Sequence, residues 1–156
     1  MSKEAIKELK QVALLADRRR YPSVPEHARY IRRYSDKTAN GLTRCIIDYL
    51  RYKGWQVEMV SNTGRPVDGR KRFTDAVGFN REVGTVTWIP GIGTPGKADI
   101  SATVSGRSVK IEVKAGRDQQ SEALKQYQAQ VEAAGGTYIV ARCFAGFLEW
   151  SKEFIK

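Results

Sequence analysis

The most constraining feature of this chain is a pair of segments in which apolar and polar residues alternate with a period of two. The segments are residues 98–104 and 109–115, and four residues containing Gly106 separate them. Such alternation is typical of β-strands that bury one face. A short glycine-containing connection favours antiparallel neighbours joined by a tight turn. The sequence therefore predicts an amphipathic hairpin near the middle of the chain.

A two-residue loop at Gly106-Arg107 sets the predicted register of this hairpin. In that register the apolar side chains of both strands lie on one side of the ribbon, which we expect to face the core. The predicted pairs on this side are Val104 with Val109, Ala102 with Ile111, and Ile100 with Val113.

The opposite side of the hairpin carries the polar side chains. The predicted register places Asp99 across from Lys114 and Ser101 across from Glu112. Asp99 and Glu112 then become diagonal neighbours, with Cβ atoms roughly 7–8 Å apart. Hard cations such as Mg²⁺ prefer carboxylate oxygens, and a neighbouring lysine can orient a water or offset phosphate charge. The pattern therefore predicts a metal site suited to phosphodiester hydrolysis.

The alternative is a hairpin whose polar face simply meets solvent. Asp99 argues against it, because a solvated face has no need of an acid beside the glycine-rich loop 90–96. Glycines in such a loop allow a backbone or a phosphate to approach closely. The loop lacks the Gly-Lys-Ser/Thr ending of a P-loop, so we do not expect a nucleotide site.

These residues resemble a known family. The order Gly96-x-x-Asp99, hairpin, Ile111-Glu112-Val113-Lys114, helix and further strand is similar to the PD-(D/E)XK nuclease superfamily. Within it, the spacing most resembles the VRR-NUC (virus-type replication-repair nuclease) modules. The resemblance covers roughly residues 38–144, and its specific part is the Asp…Glu-x-Lys core.

The resemblance implies an α/β fold with a restriction-endonuclease-like core, a small mixed β-sheet flanked by helices. It also implies a Mg²⁺- or Mn²⁺-dependent endonuclease. Asp99 and Glu112 would be metal ligands, Lys114 the catalytic lysine, and the carbonyl of Val113 a further ligand.

The chain departs from the family pattern at two places. Members commonly carry a glutamate on the first helix, where this chain offers Asn40 and Thr43. Many also carry a glutamine one turn into the later helix, where this chain has Leu124, although Gln120 is close by. Asn40 and Gln120 are therefore additional candidates, the first for coordination through its amide oxygen and the second for substrate contact.

The charge balance points to a partner rich in phosphate. Lysine and arginine number 27 against 17 aspartate and glutamate residues, a net charge of +10. No apolar run approaches the ~18 residues that span a bilayer, and the first residues do not read as a signal peptide. We expect a soluble, intracellular (cytoplasmic) protein that binds DNA and no membrane.

The cysteine and histidine inventory narrows the chemistry. Cys45 and Cys143 are far apart and lie in apolar segments, which favours reduced core residues. His27 is the single histidine, so nuclease chemistry built on several histidines lacks its parts. We expect His27 on the surface, and we expect a phosphodiesterase here to use carboxylates.

Basic residues near the hairpin are candidates for contacts with nucleic acid. The segment after the first strand has a local positive excess and reads as a loop that could clamp substrate or be a merely soluble insertion. The candidates are Arg65, Arg70, Lys71, Arg72, Lys97 and Arg117. Arginines alternating with tyrosines between Arg18 and Tyr34 would neutralise phosphates and stack on bases, or would form a solvated arm that folds back onto the domain.

Length predicts a single domain. The resemblance implies that residues 38–156 form it as a nuclease-like domain, preceded by an N-terminal helix and basic arm, residues 1–37. Helices are predicted at 2–17, 39–53 and 121–134, and strands at 55–60, 84–89 and 137–141. Residues 144–154 read as an aromatic-rich helix or tail.

The predicted function is divalent-metal-dependent endonucleolytic hydrolysis of DNA. The small size, with no separate recognition module, favours recognition of DNA structure, such as branches, ends or flaps, over a long sequence. A homodimer would place two sites on such a substrate. The alternatives are a nucleic-acid-binding protein on the same fold with weak or lost catalysis, and a nuclease that acts on RNA.

Overall fold

The computed structural model describes residues 2–60, 64–91, 94, 96–116 and 118–155. In this part of the chain the protein is mixed α/β. The helices are α1 (Ser2–Arg20), α2 (Ala39–Tyr52), α3 (Glu122–Ala133) and α4 (Phe144–Phe154). The strands are β1 (Gln56–Met59), β2 (Arg65–Asp68), β3 (Lys71–Thr74), β4 (Asn80–Val83), β5 (Val86–Ile89), β6 (Ile100–Val104), β7 (Arg107–Val113) and β8 (Thr137–Ala141).

The main sheet has four strands in the order β1-β6-β7-β8. Strand β6 is antiparallel to both β1 and β7, whereas β8 is parallel to β7. A parallel pair needs a crossover connection, and α3 supplies it between β7 and β8. The predicted small mixed sheet, with the hairpin at its centre, is confirmed.

Helices cover both faces of this sheet. The apolar face of the hairpin packs in the main core, where Ile100, Ile111 and Val109 are fully buried. Helices α1, α2 and α4 contribute to the same core. The other face carries Glu112 and Tyr138, and α3 packs there, with Tyr127 in edge contact with Tyr138 at 6.3 Å between ring centres.

The register of the hairpin differs from the prediction by two residues. Val104 pairs with Arg107, so the loop is Ser105-Gly106 rather than Gly106-Arg107. Both loop residues have positive φ, 50° and 78°, which a type I′ turn requires and which favours glycine at the second position. A shift of two residues keeps every side chain on its predicted face. The predicted position of the turn is wrong, but the predicted faces of the two strands are confirmed.

The corrected register changes the partners on the polar face. Ser101 pairs with Lys110, whose Nζ donates to Ser101 Oγ at 2.6 Å, so the predicted pairing with Glu112 is wrong. Ile100 pairs with Ile111, so the next position outward places Asp99 directly across from Glu112 rather than across from Lys114. The two acids are therefore closer neighbours than the diagonal pair that was predicted.

The helix predicted at residues 39–53 is found as α2, and an apolar stripe along it is buried. Leu42, Cys45, Ile46, Tyr49 and Leu50 all lie in the core. The side chain of Thr38 caps the helix by accepting from the Gly41 N–H, and Gly54 follows its end with φ 85°.

Helix α1 also packs against the core, where Leu9 is fully buried. It extends to Arg20, beyond the predicted end at about residue 17. The cysteines are free thiols: Cys45 is buried, but Cys143 is exposed, so its predicted place in the core is wrong. The Cys143 side chain instead caps α4 by accepting from the Gly146 N–H at 3.4 Å. His27 is exposed, as predicted.

Residues 61–95 form a separate compact unit. In it β2 pairs with β5 and β3 with β4 in one continuous antiparallel register, from Arg65 with Ile89 to Thr74 with Asn80. The sequence predicts a loop followed by one strand here, so β5 is confirmed, whereas β2, β3 and β4 are not predicted. Every strand residue in the ribbon is exposed, so it has no half-buried face to produce a clear alternation.

No helix in the described ranges is both long enough and apolar enough to span a membrane.

Candidate metal centre

A cleft of about 240 Å³ lies where β7 ends and α2 begins. It brings together four predicted site residues from the hairpin, Asp99, Glu112, Val113 and Lys114, and the predicted additional residue Asn40. The other lining residues are Ala39, Thr43, Met59 and Val60. Side chains from three sequence regions therefore converge on one concave surface.

Glu112 is the most unusual residue of this cleft. It is only 4% exposed, and its Oε1 lies 3.0 Å from Lys114 Nζ. Its Oε2 is buried and has no hydrogen-bond partner among the described residues. Burial raises the pKa of the Glu112 carboxyl above its ordinary value, and the charge of Asp99 adds to this while Lys114 opposes it. A buried carboxylate oxygen without a partner is costly, which makes it a good position for a cation.

Two hydrogen bonds position Asp99. Its backbone carbonyl accepts from the Val60 N–H at 2.7 Å, which continues the pairing of β1 with β6. Its Oδ2 accepts from the Val113 N–H at 2.9 Å, which ties the carboxylate to the end of β7. The side chain is therefore held beside Glu112 by the backbone of the neighbouring strand.

Lys114 follows the last residue of β7 and keeps the pairing with β8. Its backbone N–H donates to the Ala141 carbonyl at 3.0 Å. Its side chain is 16% exposed, so the ammonium group is largely screened from bulk water yet borders the cleft. An ammonium in this position can pair with Glu112 or with a phosphate oxygen that enters the cleft.

The first turn of α2 forms the opposite wall. Asn40 and Thr43 both line the cleft, and this turn carries no acidic residue. Thr43 Oγ1 donates to the Ala39 carbonyl at 2.9 Å, and the Asn40 amide provides a neutral oxygen donor on this wall. Asn40 thus lines the cleft at the place where the resemblance implies a glutamate.

The donor set suits a hard cation. Two carboxylates, a backbone carbonyl and an amide oxygen are oxygen ligands of the kind that Mg²⁺ and Mn²⁺ take, and Mg²⁺ is often held by one or two carboxylates plus waters and phosphates. No group of three or more histidine, cysteine or acidic residues is arranged for a metal within the described part of the chain. The residues therefore fit a Mg²⁺-type ion with few carboxylate ligands, and the unpartnered Glu112 Oε2 is the observation that supports this fit.

Several predicted residues do not reach the cleft. Gln120 is half-buried, and its Nε2 donates to Gln128 Oε1 at 3.1 Å. Leu124, where the resemblance implies a glutamine, is buried on α3. Lys97 is half-buried and does not line the cleft. Arg117 lies outside the described residues.

The basic residues of the β-ribbon divide into two kinds. Arg70 forms ion pairs with Asp68 at 2.8 Å and with Glu82 at 3.5 Å, and Arg72 pairs with Glu82 at 2.8 Å. Arg65 and Lys71 form no ion pair with any residue that the structure describes. Arg65 and Lys71 are therefore the ribbon cations that remain available to a phosphate.

Residues that sequence reasoning missed extend from the cleft along α2. Arg44 and Arg51 are exposed and line a second groove, which shares Asn40 and Thr43 with the cleft. They lie four and eleven positions after Asn40, so they occupy one face of the helix. This helical spacing of polar residues, opposite the apolar stripe, is the signal that would have revealed them.

No family model matches this chain, and no curated protein or solved structure matches it significantly. The residues and geometry of the cleft therefore carry the functional argument.

Proposed function

We propose that this protein is a divalent-metal-dependent nuclease that hydrolyses phosphodiester bonds in DNA. The observation that carries the proposal is the cleft in which Asp99, Glu112 and Lys114 meet and in which one oxygen of the buried Glu112 has no partner within the part of the chain that the structure describes. A buried carboxylate without full compensation and with a raised pKa is typical of a functional site rather than of a stabilising contact.

The topology supports a restriction-endonuclease-like core. The acids lie on the central antiparallel hairpin, a preceding helix contributes to the same cleft, and a helix and a parallel strand follow. This is the order of elements that the resemblance to PD-(D/E)XK nucleases implies. The resemblance stays a hypothesis about ancestry, and the proposed chemistry rests on the cleft itself.

Each residue of the cleft has a role in the proposed reaction. Asp99, Glu112 and the Val113 carbonyl would hold Mg²⁺ or Mn²⁺, with Asn40 as a neutral fourth donor. When bound, such an ion polarises the scissile phosphate and lowers the pKa of a coordinated water. Lys114 positions the attacking water or neutralises charge that develops on the phosphate, and its low exposure strengthens that interaction.

The second candidate function is DNA binding with weak or lost catalysis. The observation that favours it is the neutral first turn of α2, where Asn40 stands instead of an acid. Fewer carboxylates lower the affinity for a cation, since each contributes a full charge. An RNA substrate would use the same cleft, so DNA and RNA have to be compared directly.

The test is cleavage of labelled substrates in Mg²⁺, Mn²⁺ or EDTA. The panel contains single-stranded, duplex, flap and four-way-junction DNA and a single-stranded RNA. Wild type is compared with Glu112→Gln and Lys114→Met. The matched controls are Glu122→Gln and Lys125→Met, the same chemical changes in an exposed ion pair on α3.

Metal-dependent cutting that is lost in Glu112→Gln and Lys114→Met, and retained in both controls, is the expected result. Cutting that survives Glu112→Gln would assign the activity to another site or to a contaminant. Binding without cutting in any metal would instead favour the binding protein.

A further inference from the structure

Three depressions follow one another along the outer side of α2. The cleft shares Asn40, Thr43 and Met59 with a groove of about 480 Å³. That groove in turn shares Arg32, Asp48 and Arg51 with a third depression of about 440 Å³ beside the end of α1. Shared walls make the three depressions neighbours, so they form one surface track that starts at the metal cleft.

The track has an excess of unpaired positive charge. Beyond the metal cleft, its arginines are Arg20, Arg32, Arg44 and Arg51, and its acids are Asp17 and Asp48. Both acids are already engaged: Asp17 pairs with Arg29 at 2.6 Å, and Asp48 pairs with Arg32 at 3.2 Å.

Within the described residues, Arg20, Arg44 and Arg51 form no ion pair. Three guanidinium groups without carboxylate partners along one path are suited to phosphates, which arginine binds through two parallel hydrogen bonds.

The far end of the track carries exposed aromatic rings on an ordered segment. Tyr30 is 81% exposed and Tyr21 is 48% exposed, and both line the third depression. Arg29 holds this segment in place, because its buried guanidinium also donates to the backbone carbonyls of Tyr21 and Val24. A tyrosine that stays exposed on a fixed backbone is a platform on which an unpaired base can stack.

We infer that the track binds a single strand of DNA that continues from the cleavage site along α2 to Tyr30. The inference rests on the proposed function and adds a substrate class, namely DNA that carries a single-stranded tail. From residue 40 to residue 51 an α-helix rises about 16 Å. That length accommodates about five nucleotides at the 3.4 Å spacing of a duplex strand, and fewer when the strand is extended. Duplex DNA hides its bases from Tyr30, which is why a single strand fits better.

The test measures binding in EDTA, so it does not depend on catalysis. The probes are a fluorescent 15-nucleotide single strand and a blunt duplex, titrated at several salt concentrations with the full chain. The variants are Arg44→Gln/Arg51→Gln and Tyr30→Ala. The matched control is Arg19→Gln/Arg33→Gln, which removes two exposed arginines of the adjacent segments that line none of the three depressions.

The arginine pair should weaken binding of the single strand about tenfold and reduce the slope of log K against log salt by about 1.4, since each contact to a single-strand phosphate contributes about 0.7. Tyr30→Ala should weaken binding about fivefold or more without changing the slope, because it removes stacking but no charge. The control should change affinity less than about twofold. Blunt duplex should bind more weakly than the single strand and should not respond to Tyr30→Ala.

Equal losses in the control and in the arginine pair would overturn the inference, as would an unchanged affinity in Tyr30→Ala. Polyglutamate that competes as well as the oligonucleotide would assign the track to an acidic peptide instead. The nuclease proposal fails separately: if wild type cuts nothing but the binding pattern holds, only the nuclease is lost. If Glu112→Gln abolishes cutting but the track variants bind the 15-nucleotide single strand like wild type, only the track inference fails.

Discussion

Lys114 Nζ lies 3.0 Å from Glu112 Oε1, while Glu112 Oε2 is buried without a partner in residues 2–60, 64–91, 94, 96–116 and 118–155. The lysine therefore pairs with only one oxygen of a carboxylate that burial has removed from water. A cation in the cleft would pair with the other oxygen and would leave the lysine free to meet a phosphate. Among the described residues, this incomplete ion pair is what most clearly separates the cleft from an ordinary salt bridge.

The raised pKa of Glu112 gives a prediction about stability and pH. Between the ordinary value of 4.5 and the raised folded-state pKa, the folded protein binds more protons than the unfolded chain. The contribution of Glu112 to the free energy of unfolding therefore falls as pH rises through this window. In metal-free buffer, Glu112→Gln should remove that fall, as measured by urea titration from pH 4 upward.

The control for this prediction is Glu122→Gln, since Glu122 is exposed on α3 and pairs with Lys125. At neutral pH, added Mg²⁺ or Mn²⁺ should raise the free energy of unfolding of the wild-type protein. It should leave the free energy of unfolding of Glu112→Gln unchanged. A pH profile of Glu112→Gln that matches wild type would show that Glu112 is not the group responsible.

The hydrogen bond from Val113 to Asp99 allows metal binding to be separated from folding. Asp99→Asn keeps an oxygen that accepts from the Val113 N–H, whereas Asp99→Ala loses it. We expect the free energy of unfolding of Asp99→Asn to lie within about 0.5 kcal/mol of the wild-type value. We expect that of Asp99→Ala to be about 1 kcal/mol lower. We expect Mn²⁺ to raise the melting temperature of wild type, and we expect both variants to lose that rise. An Asp99→Asn variant that still responds to Mn²⁺ would remove Asp99 from the ligand set.

Asn40 offers a test by gain of function. Asn40→Glu places a third carboxylate on the wall of the cleft and an acid in a first helical turn that has none. We expect a tighter Mg²⁺ or Mn²⁺ Kd by calorimetry and about 0.3–1 kcal/mol of added stability from the helix dipole. Asn40→Gln is the control, because it lengthens the side chain without adding charge. Equal metal affinity in the two variants would show that Asn40 does not reach the ion.

The convergence of Asp99, Glu112 and Lys114 on one cleft was predictable because they lie on or directly beside strands with a clear period of two. Predicting that Asp99, Glu112 and Lys114 lie together required only the correct assignment of strand faces. That assignment is correct despite the wrong turn, because the register differs by two residues, an even number. The register itself was not predictable from alternation, since it depends on positive φ at Ser105 and Gly106.

Two features escaped prediction for a common reason. The β-ribbon is exposed on every strand residue, and Arg44 and Arg51 lie on the exposed side of α2. Hydrophobic periodicity reports which residues are buried, so it is silent about how exposed residues are arranged. The helical spacing of Arg44 and Arg51 indicates a shared face of α2, but the track itself depends on the fold, which places Arg32 beside Asp48 and Arg51.

The ion pairs of the β-ribbon predict which of its cations matter for DNA binding. Arg65→Gln/Lys71→Gln removes two cations without ion-pair partners, whereas Arg70→Gln/Arg72→Gln removes two that are paired with Asp68 and Glu82. If the ribbon contacts DNA, the first pair should reduce affinity more and should lower the salt slope by about 1.8 on a duplex. Fluorescence anisotropy in EDTA measures both quantities. Equal effects of the two pairs would indicate a general charge effect rather than specific contacts.

Gly96 lies in the backbone just before Asp99 and packs closely against the backbone of α3. It has φ 72°, and an added Cβ would lie 2.3 Å from the backbone carbonyl of Ala123. Gly54 is the matched control, because it has φ 85° but has nothing within 4 Å of an added Cβ. We expect Gly54→Ala to cost about 1–2 kcal/mol of unfolding free energy, from the left-handed conformation alone.

Gly96→Ala should cost a further 1–3 kcal/mol or so, because backbone atoms rather than a flexible side chain must move. Gly96 precedes Asp99 by three residues, so the shift should also reduce the rise in melting temperature induced by Mn²⁺, which Gly54→Ala should leave intact. Chemical denaturation and thermal melts with and without Mn²⁺ separate the two effects. If Gly96→Ala and Gly54→Ala lost equal stability, the close approach to α3 would have no consequence for the fold. If Gly96→Ala kept the full response to Mn²⁺, the loop would not position Asp99.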